Sequence, residues 1–191
     1  MNARIAPAEP PFPAEIQDWL TRTMQGRPAL TLFTTLARDP RLFQKFFSAG
    51  LLDRGHLTLR QREIVIDRTT ALCRTEYEWG VHVTLFAARA GFDAAQLQSL
   101  AHGGPQDACW TAAEDRCLLR LCDALHAECT LGDELWQSLK SNFSDEAMLE
   151  LLMLAGFYRT VSYLTNALRL PLEADAARFP SLSSIPREPR R

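Results

Sequence analysis

Apolar residues recur along the chain with the spacing of α-helices, and no stretch shows the strict alternation that is typical of a strand. The clearest example runs from Ser144 to Leu168, where apolar side chains such as Met148, Leu151 and Ala155 return every three or four positions. Segments with similar spacing fill most of the chain before it. The pattern predicts an all-α fold, a single compact domain of about eight helices.

Helix-capping residues support these assignments. Asp39, Thr58 and Ser144 each precede a helical segment, where their side-chain oxygens can accept hydrogen bonds from the first turn. Thr111 and Glu114 have the spacing of a capping box, which predicts that a helix begins beside Thr111.

The two ends of the chain differ in composition from the helical part. Prolines recur within residues 1–13, where they interrupt any helix, and proline and arginine recur within residues 172–191. We therefore predict one domain over residues 1–191 that carries an N-terminal arm (1–13) and a C-terminal tail (172–191). The arm is expected to lie over a neighbouring subunit, and the tail is expected to be mobile or to wrap around a subunit.

The net charge and composition of the chain argue against several classes of protein. A net charge of −2 provides no basic field for nucleic acid. No apolar run approaches the roughly 20 residues of a membrane span, and the N-terminus lacks the apolar centre of a signal peptide. The five cysteines form no C-x-x-C, so neither a disulfide framework nor a zinc site is indicated. We expect a cytoplasmic protein that needs no metal or cofactor and binds neither nucleic acid nor membrane.

Acidic, aromatic and imidazole side chains cluster between residues 59 and 91. Glu78 and His82 are four residues apart, one turn apart on one helix face, and Thr75 shares that face. Such a pair is often only a solvated ion pair, but the apolar neighbours of His82 indicate an imidazole that is partly buried. A buried histidine needs a hydrogen-bond partner, and a carboxylate partner also orients and tunes a histidine base.

A helix break is predicted at residues 74–76. With this break, the helix that carries Glu63 folds back against the helix of His82, so that both side chains can share one pocket. Without it, the two residues would lie about 28 Å apart at 1.5 Å per residue, and no shared site could form within one subunit.

The run Glu63-x11-Thr75-x2-Glu78-x3-His82, followed by residues 87–91, resembles the carboxymuconolactone decarboxylase and alkyl hydroperoxidase D-like superfamily. In the hydroperoxidase branch, cysteines stand at the positions of Thr75 and Glu78, between the same glutamate and histidine. The decarboxylase-like branch lacks the cysteine pair and keeps an acidic or polar residue with the histidine. The chain therefore resembles the decarboxylase-like branch.

This resemblance implies a cofactor-free acid–base enzyme that acts on a small carboxylated lactone or organic acid. Loss of CO2 from such a substrate leaves a carbanion or enolate that must be protonated. His82 would carry the proton, Glu78 would orient His82 and set its charge, and Glu63 would accept or relay a proton. The resemblance also implies a homo-oligomer, either a trimer or a hexamer.

Five further residues are candidates for binding the substrate. Tyr77 could donate a hydrogen bond to a developing oxyanion, Arg68 or Arg74 could hold a substrate carboxylate, and Thr75 and Trp79 could line the pocket. Structural alternatives stand beside these roles: surface ion pairs for the two arginines and packing between helices for Trp79.

Two other functions remain open. A hydroperoxide reductase would need a reactive thiolate and a resolving cysteine, and Cys73 is the only thiol near the motif, about 160° away from the Glu78–His82 face on a continuous helix. A non-catalytic oligomeric module that binds a ligand is the second alternative. A silent pocket of that kind would tolerate His82→Ala and Glu63→Gln.

Overall fold

The computed structural model describes residues 3–181, which form nine helices and no strand. The helices are α1 (Ala14–Met24), α2 (Thr31–Leu36), α3 (Pro40–Ser48), α4 (Leu59–Leu72), α5 (Glu76–Ala90), α6 (Ala94–His102), α7 (Ala113–Glu128), α8 (Asp133–Lys140) and α9 (Asp145–Leu168). The predicted all-α, single-domain fold is confirmed. No helix within the described range is long and apolar enough to cross a bilayer.

Three of the predicted helix starts have the expected caps. Asp39 accepts a hydrogen bond from the first turn of α3, Thr58 forms a full capping box at α4, and Ser144 caps α9. The capping box predicted from Thr111 and Glu114 does not form.

Helix α7 begins instead at Ala113, with no side-chain cap. The carboxylate of Glu114 accepts a hydrogen bond from the side chain of Gln61 in the first turn of α4. Glu114 therefore links two helices, which explains why the local spacing predicted the wrong start for α7.

Helix α4 lies at the centre of the domain, and α5, α6, α7 and α9 pack around it. Ile64, Val65 and Ile66 are consecutive on α4, and all three are inaccessible to solvent. Because the helix is enclosed beyond its first turn, its polar residues from Glu63 to Thr70 are buried as well. A buried carboxylate is costly unless it is paired or neutral, so α4 is where unusual chemistry is expected.

The predicted break between α4 and α5 is confirmed. Cys73 caps the end of α4, Arg74 adopts a left-handed conformation with φ of 56°, and α5 begins at Glu76. The amide of Thr75 donates to the carbonyl oxygen of Thr70 at 2.9 Å, which closes the turn. Helix α5 consequently folds back along α4.

The described part of the N-terminal arm packs against its own chain. The amide of Arg4 donates to the carbonyl oxygen of Leu168 at 2.8 Å, and that of Ala8 donates to Thr34 at 2.9 Å. Residues 3–13 thus lie against α2 and α9, where their N–H groups find acceptors.

Residues 171–181, here called the C-terminal segment, also pack against their own chain. The amide of Ala177 donates to the hydroxyl of Thr84 at 2.8 Å, and that of Phe179 donates to the carboxylate of Glu76 at 2.9 Å. This segment lies over α5 rather than extending away. Residues 1–2 of the predicted arm and 182–191 of the predicted tail lie outside the described residues.

Candidate active site

The imidazole of His82 and the carboxylate of Glu63 meet in the interior between α4 and α5. Nδ1 of His82 lies 2.8 Å from Oε2 of Glu63, a hydrogen-bonded ion pair when the imidazole is protonated. Glu63 is fully buried, and His82 is 4% exposed. The fold-back of α5 along α4 creates this contact within one subunit.

The other ring nitrogen of His82 has two neighbours. The hydroxyl of Tyr158, from α9, lies 3.1 Å from Nε2, and Oε1 of Glu78 lies 3.5 Å from it. Both nitrogens therefore have partners. The carboxylate that fixes the ring orientation is that of Glu63 and not, as the spacing suggested, that of Glu78.

The surroundings of His82 favour its charged form. Burial alone lowers the pKa of His82, but the carboxylates of Glu63 and Glu78 outweigh burial and raise that pKa to about 10. At neutral pH the ring is an imidazolium, and both of its N–H groups donate. Burial, together with the charges of Glu78 and Glu63, also raises the pKa of Tyr158 well above its ordinary value, so its phenol stays neutral.

A second carboxyl group stands one turn after Glu63 on α4. Asp67 is 1% exposed, and within residues 3–181 neither of its side-chain oxygens has a hydrogen-bond partner. Burial, and next the charge of Glu63, raise the pKa of Asp67 well above its ordinary value. The carboxyl group of Asp67 therefore binds its proton more tightly than an exposed aspartic acid does, one helical turn from Glu63.

Arg62 connects this cluster to the loop between α3 and α4. Its Nε lies 3.7 Å from Oε1 of Glu63, and its Nη1 donates to the carbonyl oxygens of Leu52 and Asp53 at 3.1 and 3.2 Å. The loop over residues 49–58 is thus tied to the carboxylate that holds His82.

Two of the candidate substrate-binding residues, Tyr77 and Trp79 of α5, have structural partners. The hydroxyl of Tyr77 accepts from the amide of Leu32 at 3.0 Å and donates to Glu173 of the C-terminal segment. The Trp79 ring is buried, with its centroid 5.0 Å from that of Phe179. These contacts attach the C-terminal segment to α5.

Thr75 is also engaged away from His82. Its hydroxyl accepts a hydrogen bond from the side chain of Asn166 on α9 at 3.0 Å. This contact holds the α4–α5 turn against α9.

The two arginines predicted to hold a substrate carboxylate lie elsewhere. Arg68 donates to Asp123 at 2.7 Å and to the carbonyl oxygens of Leu100 and Gly103 at 3.1 and 2.9 Å, so its guanidinium joins α4 to α7 and to the end of α6. Arg74 is exposed in the turn after α4. The structure thus brings His82, Glu63 and Glu78 together, but it does not place Arg68 or Arg74 beside them to bind a substrate carboxylate.

Sequence reasoning missed two members of the cluster, Asp67 and Tyr158. Each carried a usable signal: Asp67 follows Glu63 by one helical turn, and a tyrosine on an apolar helix face usually has a polar partner for its hydroxyl. Across the described range, no group of three or more His, Cys, Asp or Glu side chains has an arrangement that could hold a metal ion.

Comparison with known sequences gives one family match. Residues 40–118 match the model of the carboxymuconolactone decarboxylase family, and this segment contains Glu63, Asp67, Glu78 and His82. No curated protein is a significant match to the chain in sequence.

Several solved structures share the fold. A peroxidase-related protein from Ralstonia eutropha JMP134, described as an alkylhydroperoxidase AhpD core, superposes with a TM-score of 0.77 at 18% identity, over 90% of this chain and 94% of its own. A peroxidase-related protein from Silicibacter sp. TM1040 gives a TM-score of 0.75 at 17% identity, over 91% and 93% of the two chains.

The debrominase Bmp8, in complex with 2,3,4-tribromopyrrole, gives a TM-score of 0.73 at 15% identity, over 92% of this chain and 94% of its own. At such identities the likeness concerns the fold. Together with the family match over residues 40–118, it confirms the resemblance of this chain to the carboxymuconolactone decarboxylase and alkyl hydroperoxidase D-like superfamily.

Proposed function

We propose that the chain is a carboxymuconolactone decarboxylase-like enzyme that removes CO2 from a small carboxylated lactone or a related organic acid. The observation that carries this proposal is the buried imidazolium of His82, held at one nitrogen by Glu63 and flanked at the other by Tyr158 and Glu78. A positioned, charged imidazole can donate a proton. Decarboxylation requires a proton donor because the carbanion or enolate that remains must be protonated.

In the proposed reaction the bond between the substrate carbon and its carboxylate breaks. CO2 leaves, and the electron pair stays on the carbon as a carbanion or enolate. The Nε2–H of His82 then protonates that carbon, and solvent returns a proton to the imidazole. One proton is consumed for each CO2 released, and no electron acceptor is needed.

The two nitrogens of His82 have different roles in this scheme. Nδ1 is occupied by Glu63, so the proton is delivered from Nε2, on the side where Tyr158 and Glu78 lie. The Glu78 side chain is 10% exposed, compared with 5% for His82 and none for Glu63. We infer that the substrate approaches from the Glu78 side and that the neutral hydroxyl of Tyr158 positions it.

The residues around His82 favour this reaction over thiol chemistry. The positions at which the hydroperoxidase branch carries cysteines hold Thr75, hydrogen-bonded to Asn166, and Glu78, beside His82. Neither residue can supply a thiolate.

The proposal includes a homo-oligomer, as the resemblance implies, and a cytoplasmic location. Its support is an exposed apolar stripe on α9 formed by Leu149, Met153 and Tyr163, each at least 60% exposed. A monomer in sedimentation at micromolar concentration would contradict this part alone.

Release of CO2 from 4-carboxymuconolactone by the purified protein is the test. We expect turnover by the wild type and by a variant with serine at all five cysteines, and a loss of at least about 100-fold in kcat for His82→Gln. His102→Gln, at an exposed histidine bonded to the carbonyl oxygen of Pro180, is the matched control and should keep full activity. Equal activity of His82→Gln and the wild type would contradict the proposal and favour a non-catalytic module.

A further inference from the structure

A cavity of about 250 Å³ lies between the C-terminal segment, α5 and the turn that joins α1 to α2. Apolar side chains form much of its wall, namely those of Met24, Leu30, Val81 and Leu85. His82 and the residues that contact it do not line this cavity, so it is separate from the candidate active site. Its apolar wall can remove a small apolar group from water.

Charged side chains of both signs also border this cavity. Arg27 lies in the turn after α1, and Glu173 and Asp175 belong to the C-terminal segment. Among residues 3–181, Arg27 forms no ion pair with either of these two acidic side chains. Because the opposite charges do not pair with each other, both remain available to a ligand that carries a positive and a negative group.

The charged groups keep unused hydrogen-bonding capacity. Within the described chain, the side chain of Arg27 makes a single hydrogen bond, from Nε to a backbone carbonyl oxygen of α1 at 3.3 Å, so both terminal nitrogens are unengaged. Glu173 uses one oxygen, Oε1, which accepts from the amide of Thr31 at 2.6 Å and from the hydroxyl of Tyr77. Its Oε2 and the carboxylate of Asp175 have no hydrogen-bond partner in the same range.

One wall of the cavity is the C-terminal segment, which contains no helix within the described residues. At this cavity it is attached to α5 by the hydrogen bond between Glu173 and Tyr77 and by that between the Ala177 amide and the Thr84 hydroxyl. A ligand that pairs with the acidic side chains of the segment and also contacts α5 would add a further attachment. Its binding should therefore hold the segment more firmly.

We propose that this cavity binds an α-amino acid with an apolar side chain, such as leucine or phenylalanine. The α-carboxylate of the ligand pairs with the guanidinium of Arg27, and its α-ammonium pairs with Glu173 and Asp175. The apolar side chain lies against α5 and is removed from water. The cavity is smaller than the roughly 300–1,000 Å³ of sites for drug-sized ligands, which suits a small metabolite. This proposal is independent of the reaction proposed for His82.

Isothermal titration calorimetry at pH 7 with three matched probes tests the pattern of charges. L-Phenylalanine carries both charges, 2-phenylethylamine lacks the carboxylate, and 3-phenylpropionate lacks the ammonium. We expect L-phenylalanine to bind at least about tenfold more tightly than either of the other two, because each of them loses one charged pair. Equal affinity for L-phenylalanine and 2-phenylethylamine would overturn the proposal, as would no binding of L-leucine and L-phenylalanine at millimolar concentration.

Arg27→Gln and Asp175→Asn locate the site. Both side chains are exposed, so the fold should tolerate the substitutions. Each variant should bind L-phenylalanine at least about fivefold more weakly. Arg22→Gln, in the last turn of α1 and outside the cavity, is the matched control and should bind as the wild type does.

Limited proteolysis gives a second readout that depends on the position of the ligand. L-Phenylalanine should slow cleavage after residue 170 in the wild type and in Arg22→Gln, but not in Arg27→Gln at the same concentration. Unchanged affinity in both Arg27→Gln and Asp175→Asn would place the amino acid elsewhere on the molecule and overturn the proposal.

Discussion

Glu63 and His82 are nineteen residues apart in sequence, and their side chains form a 2.8 Å hydrogen bond inside the domain. The contact exists because the chain reverses after Cys73, with Arg74 in the left-handed conformation. It makes Glu63 the partner that fixes the ring of His82 and helps to keep it charged.

Glu63→Gln tests that role. The amide can still accept a hydrogen bond from Nδ1 but carries no charge, so the pKa of His82 should fall, and kcat for CO2 release should drop by about 10²- to 10⁴-fold at pH 7. The same substitution at the exposed Glu128 is the control in the same kinetic assay. A wild-type kcat in Glu63→Gln would show that Glu63 does not contribute to catalysis.

Stability should fall as pH rises because of His82. Its pKa is about 10 in the folded protein and about 6.5 when the chain is unfolded, so the folded state binds the proton more tightly. The stabilisation is fully present below about pH 6.5 and is lost as pH approaches 10. Urea unfolding from pH 6 to pH 10 measures it, and the slope should be shallower in His82→Gln. Parallel curves for the two proteins would show that His82 is not a buried imidazolium.

Asp67→Asn should stabilise the protein at neutral and alkaline pH. In the unfolded chain Asp67 ionises above about pH 3.9, whereas burial raises its folded pKa, so each pH unit between these values costs the wild type up to about 1.4 kcal/mol. The asparagine variant has no such cost. Its unfolding free energy should match the wild type near pH 3.5 and exceed it at pH 8. A variant that is less stable than the wild type at pH 8 would contradict a raised pKa of Asp67.

Gly80→Ala should loosen the C-terminal segment. A Cβ at residue 80 would collide with the carbonyl oxygen of Ala177, which lies directly over α5. We expect a loss of about 1–3 kcal/mol in unfolding free energy and faster proteolysis after residue 170.

The matched control is Gly156→Ala on α9. Apart from the backbone of α9 itself, a Cβ there meets no atom of the described chain within 4 Å. Alanine favours a helix by about 0.8–1 kcal/mol over glycine, so this variant should be more stable. Unchanged stability and proteolysis of Gly80→Ala would show that the segment does not press on α5.

Arg68→Gln distinguishes a structural role from a substrate clamp. Arg68 donates to Asp123 and to carbonyl oxygens at the end of α6, so its removal should lower the unfolding free energy by roughly 3 kcal/mol. The KM of the folded variant should stay unchanged. A raised KM without a loss of stability would restore Arg68 as a carboxylate-binding residue.

Local patterns predicted the parts of the site that depend on neighbours in sequence. The four-residue spacing placed Glu78 and His82 one turn apart, and the break after α4 let Glu63 approach from nineteen residues away. Which carboxylate comes closer depends on how the two helices rotate against each other, and sequence spacing does not encode that rotation.

Sequence patterns do not predict the contacts between residues that lie far apart in the chain. Tyr158 is 76 residues from His82 and belongs to no motif, so the sequence pattern places it only on an apolar helix face. Arg68 could be read as a free cation because its acceptors include backbone carbonyl oxygens, which are present at every residue and leave no sequence signal.

The most direct test of the central claim is to measure the protonation state of His82 by proton–nitrogen NMR. The His82→Gln variant assigns the signal. A buried imidazolium held by Glu63 should keep protons on both ring nitrogens at pH 8 and lose one only near pH 10. In Glu63→Gln the same signal should titrate at lower pH. A wild-type His82 that titrates near 6.5 would contradict the account, because the proton donor on which the proposed reaction depends would then be absent at neutral pH.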